Sequence, residues 1–340
     1  MPDQVRHPHT LLVASTGGHL EELVRLRARL QPAAEHVTWL TFDDAQSRSL
    51  LAGERVRFVP RVPPRGYREA ASAIGRAFWV LRDGQFSRVV STGAGIAVPF
   101  MLAARVLGIP CDYIESAARA DGPSLTGAVV ARLPGVRLHC QYRTWASGRW
   151  RHGGSLFDDY RPRSAPSPVP ADPGAAKVVV ALGTTEFAFT RAVDRLVQVL
   201  PRVVGHDAHV TWQVGNTDVS HLQIEAERFL PARRLQEAIA QADLVISHAG
   251  VGSALGALDA GKCPVLLPRL GSEREHVDDH QVMIAADLER RGLAVACNPD
   301  ELTAEDLRRA MRVEVVRSPL RPVFVLEETD QVNVGGRRTA

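Results

Sequence analysis

Short apolar runs alternate with helix-period segments along nearly the whole chain, and no other property of the sequence restricts the fold so strongly. Before Arg161, TLLVAS, HVTWLTF, RVVST and CDYIES have the length and apolar content of buried strands. LEELVRLRARL and AVPFMLAARVLG lie between them with helical spacing. After Lys177, KVVVALGT, HVTWQVG, DLVISHAG, CPVLLP and LAVAC read as strands. RAVDRLVQVLPRVV, LQEAIAQA, SALGALDAG, HQVMIAADLERRG and TAEDLRRAMRVE read as the helices that alternate with them. Strands alternating with helices form parallel sheets covered on both faces. The segment from Arg161 to Lys177 interrupts the pattern with five prolines, where neither helix nor strand should persist. The expectation is two Rossmann-like α/β domains of 1–162 and 177–313, a proline-rich linker of 163–176, and a C-terminal tail of 314–340 whose last stretch, 327–340, is polar and loose. A chain of 340 residues is long enough for two such cores.

Several classes are excluded. No run of eighteen apolar residues is present, so no transmembrane helix is expected. The first apolar stretch enters a Gly-Gly turn and reads as a strand, not as a signal peptide. Cys111, Cys140, Cys263 and Cys297 are scattered without a CxxC pair, which argues against a zinc or disulfide framework and for a reducing cytoplasm. The net charge of +3 divides unevenly: residues 1–170 carry 22 basic and 14 acidic side chains, and residues 171–340 carry 19 and 24. A basic first half fits an anionic partner such as a membrane surface, a pyrophosphate or a nucleic acid, or simply an arginine-rich solvated face.

In open parallel sheets, ligands sit at the carboxyl ends of the strands. In the first half, Gly17 and Gly18 let the backbone turn tightly into a helix whose free N–H groups can meet an anion. The dinucleotide fingerprint GxGxxG is absent. His19 stands where an imidazole can take a proton from a bound hydroxyl, or where it caps the helix; the loop alone leaves both readings open. Gly93 and Gly95 open a second helix, for a shared polar ligand or for close strand–helix packing. Glu115 ends a strand and Arg119 follows four residues later, either as a mutual ion pair or as ligands of sugar hydroxyls and phosphate.

In the second half, Gly183, Thr184 and Thr185 follow a strand with bare backbone and hydroxyls suited to phosphate. His248, Gly250, Gly252 and Ser253 open another helix, and Asp279, His280 and Gln281 open a third. An acid- and histidine-rich run before Gln281 raises the question of a metal. Glycine, hydroxyl, amide and imidazole groups on three strand-end loops fit a nucleotide diphosphate better, so no metal and no cofactor are expected.

These motifs together resemble a known group. LGTTEF, ISHAGVGSALGALDAGKCPVLLP and DDHQ resemble the catalytic subunit of the two-part N-acetylglucosaminyltransferase that adds the second sugar to dolichol-linked oligosaccharide. STGGHLEEL, STGAGIAVPFMLAARVLGIP and YIESAARADGPSLTG resemble its partner subunit. The order is that of a fusion, partner half first, as in the lipid II-forming N-acetylglucosaminyltransferase; bacterial exopolysaccharide transferases are also similar. The resemblance covers roughly residues 9–145 and 177–313.

It implies a GT-B fold, with two Rossmann-like domains facing across a cleft, and an inverting UDP-sugar glycosyltransferase. The UDP-sugar would be the substrate, held by Gly183, Thr184, Thr185, His248, Gly250, Gly252, Ser253, Asp279, His280 and Gln281. His19 would be the base, with Gly17, Gly18, Gly93, Gly95, Glu115 and Arg119 on the acceptor side. The acceptor implied is a polyprenyl-diphosphate-linked sugar on the inner face of the cytoplasmic membrane. With these strand-end loops and this resemblance, no nucleic-acid partner is expected. Two departures stand out. Gly256 occupies the place of an acidic ribose ligand, and Asp259 lies one turn further along. The partner subunit's membrane helix is missing. Residues 67–86, with Ile74, Phe78, Trp79 and Leu81 among Arg68, Arg76 and Arg82, offer a peripheral membrane contact or an ordinary core helix.

Overall fold

The computed structural model describes residues 9–31, 33, 36–61, 67–165, 176–205 and 208–326, with backbone only for 67–71. Two compact units result, the first built from 9–116, 123–155 and 323–326 and the second from 117–122 and 156–322. The fold class is the expected one, two Rossmann-like α/β units with parallel sheets.

The strands of the first unit are β1 (His9–Ala14), β2 (Leu30–Gln31), β3 (His36–Phe42), β4 (Val56–Val59), β5 (Arg88–Gly93), β6 (Cys111–Ile114), β7 (Arg137–Cys140) and β8 (Trp150–His152). Seven of them form one sheet in the order β4-β3-β1-β5-β6-β7-β8, and every pairing in it is parallel. Val13, Leu40, Val89 and Leu138 from the sheet pack with Ala77, Phe100 and Met101 of two flanking helices. Burial on both faces is why these strands read as continuous apolar runs and not as alternating ones.

The second unit has β9 (Tyr160–Ser164), β10 (Lys177–Ala181), β11 (His209–Gln213), β12 (Ala226–Glu227), β13 (Leu244–His248), β14 (Val265–Leu267), β15 (Val295–Ala296) and β16 (Val313–Arg317). Its main sheet runs β12-β11-β10-β13-β14-β15, again all parallel. In both units the strand order grows one way from the first strand and then reverses, between β1 and β5 and between β10 and β13. The connections on either side of such a reversal leave to opposite faces, which opens a crevice at the carboxyl ends of the two central strands. His19 and Gly93 follow β1 and end β5; Gly183 and His248 follow β10 and end β13.

The expected domain bounds are corrected, and one open choice is decided. The joint expected at 163–176 begins inside a strand: β9 pairs antiparallel with β16, and residues 166–175 lie outside the described residues. The unit boundary falls between Ser155 and Leu156 instead. The stretch expected to be loose, 327–340, lies outside the described residues, but the tail before it is structured. Val315 is buried in β16, and β17 (Phe324–Val325) pairs parallel with β2 in the first unit. Phe324 is fully buried; a Cβ on Gly153 would stand 2.5 Å from its ring. Isolated apolar residues in a polar tail carry no periodicity, so the sequence offered no signal for these strands. Finally, the 67–86 segment is helical over Tyr67–Asp83, but Ala77, Val80 and Leu81 are buried and Phe78 packs on the same core. Its apolar stripe faces protein, and of the four apolar residues singled out only Trp79 stands well out, 64% exposed.

Phe324→Ala should destabilise the protein by about 3 kcal/mol, the usual cost of emptying a buried aromatic site. Urea unfolding checks this; a change under about 0.5 kcal/mol would mean that β17 is not docked in solution.

Candidate functional site

The second unit brings its three strand-end loops together through His248. This histidine closes β13, and its Nδ1 accepts a hydrogen bond from the backbone N–H of Gly250 (3.1 Å). Nδ1 therefore holds the lone pair and Nε2 the proton in the neutral ring, and Nε2 lies 3.0 Å from Ser253 Oγ. Burial, assisted by the charge of Arg269, lowers the His248 pKa to about 4. The two glycines beside it have a steric reason. A Cβ on Gly183, whose φ is +89°, would lie 2.7 Å from His248 Nε2, and one on Gly250 would collide with the same ring. Bare backbone here makes room for an imidazole, where the sequence suggested room for phosphate. Gly252, in contrast, faces open space and is exposed at the start of the helix Val251–Asp259.

Thr184 is exposed, and the hydroxyl of the partly buried Thr185 has no protein partner. The Thr185 carbonyl accepts from Asn216 Nδ2 (2.8 Å), which fixes the loop from below. Asp279 is exposed before the helix His280–Arg290, and its Oδ1 accepts from Gly271 N (2.7 Å) within its own loop. Gln281 is buried, and its Oε1 accepts from both Ala249 N (3.1 Å) and Arg269 N (3.2 Å). It ties two loops together instead of presenting its amide oxygen to a ligand. His280 is half-buried, with Nδ1 on Asp278 Oδ1. Asp259, one turn beyond Gly256, is held by protein partners. It ends its helix and accepts from Tyr160 Oη (2.5 Å) and Arg317 (2.6 Å).

Sequence reasoning missed the cluster of His276, Asp278 and His280, whose ligand atoms lie within 4.8 Å of one another. The signal was present, since the two histidines stand four residues apart. Those donor types at that spacing can hold a metal. The guanidinium of Arg119, 3.2 Å from Asp278 Oδ2, already supplies a positive charge there. Arg119 thus pairs with Asp278, and its loop, 117–122, belongs to the second unit.

In the first unit, His19 lies in the first turn of the helix Gly18–Arg27 and does not cap it. Its Nδ1 is 2.8 Å from the Thr92 carbonyl, which can only accept, so Nδ1 carries the proton and Nε2 the lone pair. The Thr92 hydroxyl donates back to the His19 carbonyl (2.7 Å). Burial lowers the His19 pKa, partly offset by Thr92 and by the negative Glu115, and the ring is neutral at pH 7. Gly93, at φ +111°, passes between this ring and Tyr113: a Cβ would stand 3.3 Å from His19 Cε1 and 2.9 Å from Tyr113 Oη. Gly95 is exposed with open space above it, as are Gly18 and, in part, Gly17. Between the two glycines, Ala94 takes a left-handed φ of +63°, a strained state for a residue with a Cβ. Gln46, not foreseen from the sequence, grips the Gly17 backbone from both sides.

Glu115 is fully buried. Its oxygens accept from Ser116 N (3.2 Å), Ser124 N (2.9 Å) and Ser124 Oγ (3.2 Å), and burial raises its pKa. Glu22 lies beside Ser116 and Gln141, so two carboxylates are buried behind His19.

Residues 177–314 match the model of the glycosyltransferase family 28 C-terminal domain. Over 335 residues the chain is 28% identical to the UDP-N-acetylglucosamine--N-acetylmuramyl-(pentapeptide) pyrophosphoryl-undecaprenol N-acetylglucosamine transferase of Xanthomonas euvesicatoria, covering 90% of this chain and 73% of that one. The Acinetobacter baumannii MurG structure superposes with a TM-score of 0.57 at 21% identity, over 89% of both chains. A UDP-GlcNAc 2-epimerase from Methanocaldococcus jannaschii superposes equally well, TM-score 0.58 at 11% identity over 89% and 91%. Fold alone therefore does not choose between transfer and epimerisation; the family match on the second unit does. The chain is a GT-B glycosyltransferase.

Two tests follow from the geometry of this transferase. Gly183→Ala and Gly250→Ala should each cost about 1–3 kcal/mol, because His248 cannot yield without losing its bonds, while Gly252→Ala should leave the melting temperature within two degrees or so. Equal melting of all three would refute the steric role of His248. Nitrogen NMR of the histidines at pH 7 should find the proton on Nδ1 of His19 and on Nε2 of His248. Because the His248 pKa lies below its unfolded value, its contribution to stability is full above about pH 6.5 and is lost as the pH falls through about 4. A proton on Nε2 of His19 would remove its lone pair from the open side and end its candidacy as a base.

Proposed function

We propose that this transferase moves a sugar from a UDP-sugar, such as UDP-GlcNAc, a UDP-hexose or a UDP-uronate, to a polyprenyl-diphosphate-linked sugar in cell-envelope or exopolysaccharide assembly. The reading rests chiefly on His19: its Nδ1–H is held by the Thr92 carbonyl, which leaves Nε2 unprotonated in a glycine-lined loop at the strand-order reversal. The relative's name supports the donor and acceptor classes, and the charge of the first half suits an anionic lipid diphosphate.

In this mechanism His19 Nε2 accepts the proton of the acceptor hydroxyl as its oxygen attacks the anomeric carbon of the donor. The bond from that carbon to the diphosphate oxygen breaks, its electron pair leaves with UDP, and the anomeric configuration inverts. Glu115, buried behind the ring, favours the imidazolium that forms. In the second unit the N–H groups opening the helix Val251–Asp259, with the hydroxyls of Thr184 and Ser253, would face the departing diphosphate, with the buried Thr185 hydroxyl behind them. No metal takes part. Asp279 and His280 belong to the same pocket, with Gln281 shaping it from behind. The single chain would combine the donor and acceptor roles that the resemblance divides between two subunits. Its place would be the cytoplasmic face of the membrane, with Trp79 as the peripheral contact.

Calorimetry against UDP, GDP, ADP and TDP without metal tests the donor assignment: UDP should bind in the micromolar range and the others at least tenfold more weakly. His19→Ala should keep that affinity while turnover with a lipid-linked acceptor falls by 10² or more, the usual worth of a general base. Turnover of a UDP-sugar with no acceptor, or preference for another base, would overturn the proposal.

A further inference from the structure

Arg269 is the least expected side chain in the second unit. It follows β14, is fully buried, and carries its charge among backbone carbonyls. Its Nη1 donates to Phe187 O (3.0 Å), Ala188 O (3.1 Å) and Glu275 O (3.2 Å), and its Nη2 to Leu182 O (2.7 Å). The guanidinium lies over the Phe189 ring, 4.6 Å from its centre. Its own backbone N–H donates to Gln281 Oε1, the atom that also holds Ala249.

These bonds have a direction. Leu182 and Phe187–Ala188 bracket Gly183, Thr184 and Thr185 on both sides. Glu275 precedes the histidine–aspartate cluster, and Ala249 lies between His248 and Gly250. Glu275 is itself clamped by Arg191, at 2.8 and 2.9 Å, to the helix Thr190–Val199. A loop held only by backbone strain would sample many states; four carbonyls on one planar group leave it one. Burying a guanidinium is costly, and its pKa is drawn down to about 10, so it remains charged at pH 7.

We infer that Arg269 is a positioning residue of the donor site, which sets the spacing between the Gly183–Thr185 loop, the His248 loop and the 270–275 loop without itself touching the donor. This rests on the reading of these loops as the UDP-sugar site. It adds a claim about the guanidinium: a planar fork is required, and a point charge of the same sign does not serve. Lysine has the charge but cannot reach carbonyls on both Nη positions at once.

The test uses the full chain with Arg269→Lys and Arg269→Met, read by hydrogen exchange and by calorimetry with UDP. Both variants should fold, with unchanged far-ultraviolet circular dichroism. Exchange should rise in 182–189 and 270–275 while the strands of the first unit keep their protection. UDP affinity should fall at least tenfold in both. In turnover, the donor KM should rise at least tenfold with the acceptor KM unchanged. A merely structural role would instead lower the active fraction, with both KM values preserved, and would overturn the inference. So would Arg269→Lys behaving as the unaltered protein, or loops that loosen without loss of UDP affinity. If the unaltered protein binds no UDP, the donor-site reading fails and takes the donor role of Arg269 with it. The exchange data would then still decide whether Arg269 holds the loops.

Discussion

The reversal of strand order at the centre of each sheet is the constraint on which the rest depends. A right-handed crossover that leaves β1 toward one face and another that leaves β5 toward the other cannot cover the carboxyl ends of both strands. The same holds for β10 and β13. Backbone groups at those ends have no ladder partner, and they must meet side chains, water or a ligand. Glu115 follows β6 and Asp279–Gln281 follow β14, while the loops bearing His19, Gly93, Gly183 and His248 lie at those ends. The helices Gly18–Arg27 and Val251–Asp259 begin there, and the residues around them are glycine, histidine, serine and threonine.

What the protein does with these open ends differs between the units. In the first, His19 is oriented by a backbone carbonyl, so its Nε2 carries the lone pair. In the second, His248 is oriented by a backbone N–H, so its Nε2–H donates to Ser253 Oγ in the helix that follows. The same side chain is given opposite polarity by the partner of Nδ1. Behind both sit buried polar groups, Glu115 and Arg269, whose hydrogen bonds go to serines in one case and to carbonyls in the other.

The layered fold was legible because continuous apolar runs at regular intervals have few solutions. The strands TLLVAS, HVTWLTF, KVVVALGT and DLVISHAG all appear where their pattern puts them. Glycine-bearing loops were also legible as loops of interest. Their reasons were not. Gly183 and Gly250 yield space to a ring that neither contacts in sequence, and Gln281 serves two backbone groups twelve and thirty-two residues away. The helix Tyr67–Asp83 shows the same limit, because a stripe of apolar residues does not say whether protein or lipid covers it.

By itself the sequence determined the period of its elements, the two-unit plan and the neighbourhood of chemistry, since hydrophobic spacing and glycine are local properties of the chain. Only the tertiary structure decided which of the polar residues are spent on holding others. Asp259 went to Tyr160 and Arg317, Phe324 returned to the first unit, and Arg269 took the centre of the loops around Gly183–Thr185 and 270–275. The physical reason is that a hydrogen bond is decided by distance and direction between groups far apart in the chain, and the sequence carries neither until the sheets have brought them together.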